Sequence, residues 1–195
     1  MIVGASRWFR WTQGLALASV VACSAGGRDD AAASRDEITR VPQSSVKRQS
    51  IGNCWVYATA GWIESLHLGA TNKEINVSES WLTYWHWFDQ IANGQAKDAI
   101  NTGGDFSTAT DVIGRYGIVM EGDFVPREAD AEMSELQSSA EKEINLSLRS
   151  GALSRPEARA DRALVRKELD RAFKLDRERS ARIDAVFGEA VDRTL

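Results

Sequence analysis

Five of the seven tryptophans in this chain, Trp55, Trp62, Trp81, Trp85 and Trp87, fall within residues 54–90. Large aromatic side chains at that density must be buried against one another, so this block is expected to be the packed core. Its spacing is helical: Trp55, Ala58, Trp62 and Leu66, with Ile63 adjoining, predict a helix over about Cys54–Leu68. A second helix is predicted over Trp81–Ile91, capped by Asn76 or Ser78. With 195 residues, 43% of them hydrophobic, the chain can bury such a core and suits one domain or slightly more.

The first 45 residues are set apart from that core by composition. Arg7 and Arg10 precede an uncharged run, Gly14 to Ala22, with the shape of a secretory signal peptide and too short to span a bilayer. The run closes on Val20-Val21-Ala22-Cys23-Ser24, which resembles the lipobox of bacterial lipoproteins. That resemblance implies a diacylated Cys23 as the new N-terminus and membrane anchor, with the protein exported to the bacterial cell envelope. Acyl chains at about 0.8 kcal/mol per buried methylene would hold it firmly. A plain cleaved signal, leaving a secreted protein, is the alternative. Residues 1–23 are thus expected to be a signal and lipobox. Residues 24–45, rich in Ala, Ser, Gly and Asp, read as a flexible tether.

Several function classes are excluded by charge and spacing. A formal net charge of -4 and pI near 5.3 leave no basic patch, so nucleic acid is not an expected partner. Two histidines and two cysteines at these spacings make no zinc site. Gly103-Gly104 lacks the companions of a phosphate loop. No metal and no cofactor is expected.

What remains is thiol chemistry. With Cys23 acylated, Cys54 has no disulfide partner, which invites the reading of a reactive thiol. It opens the first predicted helix after a Gly52-Asn53 turn, at the end of the helix dipole that favours thiolate.

Gly52-Asn53-Cys54-Trp55 is similar to the Gly-x-Cys-Trp of papain-like cysteine peptidases, and Gln49 resembles their oxyanion-hole glutamine. Glu64 falls where the first helix of that family carries a glutamate. Asn76-Val77-Ser78-Glu79-Ser80 is similar to the family's Leu-Ser-Glu segment, and Ser80 to Trp85 resembles the bleomycin hydrolase branch. Thr102-Gly103-Gly104-Asp105 is similar to the Gly-Gly stretch whose backbone pairs with substrate. Tyr116-Gly117-Ile118-Val119 with Glu121 is similar to the Gly-Ile and Glu that follow. The resemblance covers residues 49–126. It implies a papain-like helical lobe over 46–126, with Cys54 as nucleophile and Gln49 as oxyanion donor. It further implies substrate binding by Gly103, Gly104 and Trp55, and a peptide or protein as substrate.

Two departures qualify what the resemblance implies. Gln49 stands five residues before Cys54, one fewer than is usual in the family, and Arg48 occupies the usual place. The family's catalytic histidine and asparagine, which come from a β-barrel lobe, have no counterpart. His86, between Trp85 and Trp87, reads as a structural histidine, and His67 lies near the end of the first helix. Residues 127–195 carry no alternating strand pattern. The chain is therefore expected to be an incomplete N-terminal part, with the histidine lobe beyond Leu195. A non-catalytic binding or structural module and a cysteine-dependent acyl transferase are the alternatives.

Residues 127–195 are expected to be a helical extension or insertion packed on the lobe, or else a dimerising or partner-binding helix pair. Ser154-Arg155-Pro156-Glu157 offers a capping-box start to a helix running through Ala163, Leu164, Leu169, Ala172 and Phe173 to about Lys174. Asp176 is expected to cap a last helix ending near Gly188. The fold class expected for the whole is mainly α.

Overall fold

Twelve of the fourteen residues of the helix Glu79–Ala92 are buried, and the rest of the protein is arranged around it. A helix with Trp81, Leu82, Tyr84, Trp85, Trp87, Phe88 and Ile91 on all sides has no face to offer water, so it takes the centre. The structure, a computed structural model, describes residues 41–187. Cys23, the signal segment, residues 24–40 of the tether and the helix end expected near Gly188 lie outside the described residues.

The described residues are mainly helical. In chain order they form α1 (Cys54–Thr71), α2 (Glu79–Ala92), α3 (Phe106–Tyr116), α4 (Glu121–Phe124), a 3-10 turn (Pro126–Glu128), α5 (Glu135–Ser150), α6 (Pro156–Ala160), α7 (Arg162–Ala172) and α8 (Arg177–Phe187). The only extended pairings among them are two isolated bridges, Arg48 with Met133 in parallel and Val77 with Met120 in antiparallel. No helix among the described residues is long and apolar enough to cross a membrane.

Helix α2 packs against α1, α3, α4, α6 and α7, and α5 closes over α7. Aromatic rings make the joints. Trp85 stacks on Tyr116 of α3 with centroids 4.1 Å apart, and Tyr84 and Trp87 meet Phe173, just after α7, at 5.5 and 5.4 Å. Such pairs add about 0.5–1.5 kcal/mol each beyond the area they bury. The Tyr84 hydroxyl donates to Asp170 Oδ1 at 2.6 Å, so the same ring that fills the core also fixes α7.

Ser78 is the cap of α2: its hydroxyl accepts the Trp81 N–H at 2.9 Å. Asn76, the other expected cap, is drawn away instead, donating from Nδ2 to Ala129 O and accepting Lys47 Nζ through Oδ1.

Trp62 and Leu66 correct the expected core. They are 52% and 48% exposed, and Ala58 is exposed as well. Helix α1 is apolar on two sides, and the side that turns inward carries Trp55, Val56, Thr59, Ala60 and Glu64. The stripe from Cys54 through Ala58 and Trp62 to Leu66 is the open side, where Trp62 meets the exposed Phe106 edge-on at 5.7 Å.

The expected tether ends earlier than residue 45. Ser44 Oγ donates to Glu64 Oε2 at 2.7 Å, and the Pro42 ring packs beside Gly69 of α1. Past residue 127 the expected capping box does not form. Arg155, not Ser154, occupies the cap of α6, with Pro156 in its first turn and no side-chain cap bond. One predicted helix is in fact two, because Asp161 interrupts it and caps α7 by accepting the Leu164 N–H at 3.1 Å. Asp176 does cap α8, accepting the Arg179 N–H at 2.9 Å.

Candidate active site

Cys54 is the first residue of α1; its thiol is free and exposed. It gets there by a tight turn in which the Asn53 N–H bonds Ile51 O at 2.9 Å. Asn53 sits where a cap would, yet its side chain makes no cap bond. It points inward instead, 1% exposed, donating from Nδ2 to Thr83 Oγ1 at 3.0 Å and to Gln137 Oε1 at 2.8 Å. The first turn of α1 therefore presents its amides beside the thiol without a side-chain acceptor to occupy them.

Two close approaches knit this turn to the segment 101–104. A Cβ on Gly52 would fall 2.8 Å from Thr102 Oγ1, and one on Gly104 would fall 2.6 Å from Trp55 Cε2. Gly104 needs glycine for lack of room against the indole, while at Gly52 the Thr102 hydroxyl would have to turn aside. Trp55 also donates from Nε1 to Thr102 O at 2.9 Å. Expected to bind substrate, Trp55 is only 6% exposed. One residue past Cys54, the indole turns inward, braces the glycine segment and presents little surface.

Gly103 and Gly104 do not play equal parts. The Gly103 N–H is taken by Asn101 Oδ1 at 3.0 Å, whereas Gly104 is exposed and lies against the Trp55 indole. Gln49 is exposed on an extended stretch pinned next door, where the Arg48 N–H bonds Glu132 O at 2.8 Å.

Neither histidine is bonded to the thiol. His86 lies edge-on to Trp55 with ring centroids 4.8 Å apart, and its Nε2 is 2.7 Å from Gln90 Nε2. Burial pulls its pKa below the usual value, against the opposing pull of the Asn101 and Gly103 backbone. Among the described residues no side chain hydrogen-bonds Cys54, and no group of three or more His, Cys, Asp or Glu could hold a metal ion. A cleft of about 660 Å³ is lined by His86, Gln90, Asn101, Gly103, Gly104 and α3, and Cys54 is not among its walls.

Behind the turn lies a polar network that sequence reasoning did not foresee. Lys47 Nζ donates to Glu64 Oε1 at 2.9 Å, Glu79 Oε1 at 2.8 Å and Asn76 Oδ1 at 2.6 Å. Glu64 Oε1 also accepts the Val77 N–H at 2.8 Å. Burial alone would lower the Lys47 pKa, yet Glu79 and Glu64 hold it above the usual value. Gln137 of α5, fully buried, joins the network from the other end by donating to Ser80 Oγ at 3.1 Å. A segment read as an extension thus supplies the floor under the turn that carries Cys54. No local sequence signal marks Gln137, whose partner Asn53 lies 84 residues away.

Glu121 is the one carboxylate here whose charge burial opposes decisively. It is 5% exposed and its pKa is pushed up to about 7, chiefly by burial, with Glu79 adding and the Ser78 and Ser80 hydroxyls and Lys47 opposing. A pKa raised by folding means the native state holds the proton more tightly than the unfolded chain. The stabilisation is complete below about pH 4.5 and is lost as pH rises through about 7. Relative to wild type, Glu121→Gln is expected to flatten the fall in stability over that range by about 3 kcal/mol. Urea midpoints at pH 4.5 and 8 measure it; parallel pH profiles for the two proteins would refute the assignment.

Compared with protein-family models and with curated proteins, the chain finds no match in either.

Proposed function

We propose that this chain is the cysteine-bearing helical half of a papain-like peptidase acting on peptide or protein substrates. One observation carries the reading: an exposed, unpaired thiol on the first residue of α1, set beside an exposed glycine segment that the next residue, Trp55, braces from behind. In this reading the Cys54 thiolate attacks a peptide carbonyl carbon, and the carbonyl π electrons move to oxygen. The oxyanion takes hydrogen bonds from the Cys54 amide and the Gln49 side chain while Gly104 holds the substrate backbone. The base that took the thiol proton returns it to the amine as collapse expels that group, and water then hydrolyses the thioester to release the acid and restore the thiol. In this reading the base is the histidine of the family's second lobe, as the resemblance implies. The lipid anchor at Cys23 is part of the proposal.

The test is labelling of the natural protein, purified from the cells that make it, with a peptidyl vinyl sulfone. Cys54 should be modified far faster than a cysteine in an unstructured peptide. A rate equal to that of the free peptide would overturn the reading. It would turn it toward a non-catalytic peptide-binding module, which the absence of a bonded base favours.

Gln49→Ala is expected to lower turnover by about 10²- to 10³-fold with little change in substrate affinity. An unchanged kcat would show that the short Gln49 to Cys54 spacing has moved oxyanion binding to another donor.

A further inference from the structure

The carboxamide of Gln90 is fixed in orientation by the backbone it grips. Its Oε1 accepts the Asn101 N–H at 2.8 Å and its Nε2 donates to Asn101 O at 2.7 Å, so a flipped amide would set donor against donor and acceptor against acceptor. The remaining N–H of Gln90 Nε2 faces His86 Nε2 at 2.7 Å. An ammonium-like imidazolium or an Nε2–H tautomer would place two hydrogens between those nitrogens. His86 must therefore be neutral, with its proton on Nδ1.

From this geometry we infer that His86 is a positioning residue: neutral, it accepts Gln90, and Gln90 clasps Asn101 so that Gly103 and Gly104 stay seated against Trp55. Asn101 transmits the hold, since its Oδ1 takes the Gly103 N–H at 3.0 Å. The inference rests on the proposed reading only where it makes this segment the substrate seat.

Protonation is what would release the clasp. Burial already lowers the pKa of His86 from 6.5, so the acceptor is present above about 6.5 and is lost as pH falls through the lower, folded value. The charged groups facing it are few. Asp89 of α2 and Asp111 and Arg115 of α3 share its cleft, and Arg115 is held by Asp89 at 2.8 Å. Asp105, at the start of α3, is held to a pKa of about 2 by the Thr108 N–H and neighbouring hydroxyls, so it stays ionised throughout. From α1 the neutral indole of Trp55 covers the ring, with Cys54 the next titratable group along the helix.

Amide hydrogen exchange on the full chain, corrected for intrinsic rates between pH 5 and 8, reads the clasp at Asn101 and Gly103. In wild type, protection at both amides should fall by on the order of tenfold on acidification. His86→Gln offers Oε1 as a non-titrating acceptor and should keep protection at every pH, while His86→Leu should lack it even at pH 8. Wild-type protection that does not change with pH, or protection in His86→Gln that falls on acidification as it does in wild type, would overturn the inference, whether or not His86→Leu folds. Affinity for an unmodified substrate-like tetrapeptide, measured by calorimetry on the Cys54→Ala protein, separates the two readings. Affinity that falls with protection supports both. Affinity that stays flat while protection falls upholds the clasp and overturns the glycine segment as the substrate seat.

Discussion

Replacing Cys54 by Ala is expected to abolish peptide hydrolysis by the natural protein, lowering kcat/KM by roughly 10⁴-fold or more. The thiol is the only nucleophile the proposed mechanism uses, and no serine or threonine occupies the first turn of α1. Because Cys54 is exposed and makes no bond to the core, the same change should alter stability by less than about 0.5 kcal/mol. That combination is what makes the test clean. Steady-state hydrolysis of a peptide pool and a thermal melt on the same samples suffice, and activity surviving in a normally folded variant would sink the peptidase assignment.

Lys47→Met should produce the largest loss of stability, about 3–5 kcal/mol near neutral pH. The cost is not that of a surface ion pair. Lys47 is 16% exposed, and its partners Glu64 and Glu79 are 2% and 7% exposed at the side chain. Removing it leaves two buried carboxylates with no countercharge and Asn76 Oδ1 without its donor. Acid should recover part of the loss, since Glu79 is raised by burial and Glu121 already titrates near 7. Unfolding by urea at pH 5 and pH 7.5 measures this. A loss under about 1 kcal/mol, or one that does not shrink on acidification, would show that water reaches these carboxylates. The effect bears on the site as well, because this ammonium group ties residues 44–49 to both α1 and α2, beside the Ser44 bond to Glu64.

Much of the helical framework was legible because it is written in local terms. The hydroxyl of Ser78, the carboxylate of Asp176 and the four-residue spacing of aromatic side chains in α2 act within one or two turns, so they survive in a one-dimensional reading. Helix α5 carried such a signal too, in Leu136, Ala140, Ile144 and Leu148, all buried on one face. The capping box at Ser154 failed because Pro156 fits the first turn of α6 with Arg155 before it, and an aspartate five residues later offered a better start for α7.

The site was legible in one half. The thiol at the head of α1 and the glycine pair could be named from local motifs, and the structure brings them together through Trp55. What holds them could not. Asn53 bonding Gln137, Gln90 gripping Asn101 and Lys47 bridging α1 to α2 are polar contacts whose partners become neighbours only after the helices pack.

The sequence by itself determined a mainly α fold with a tryptophan-rich centre and a cysteine at a helix start, since spacing and caps are local properties. Only the tertiary structure decided which side of α1 is buried, because that helix is apolar on both. It also decided that Trp55 braces the glycine segment, that His86 sits against Gln90 and Trp55, and that α5 reaches under the turn that carries Cys54. Each of these depends on which surfaces meet, and burial is settled by the partner a surface finds.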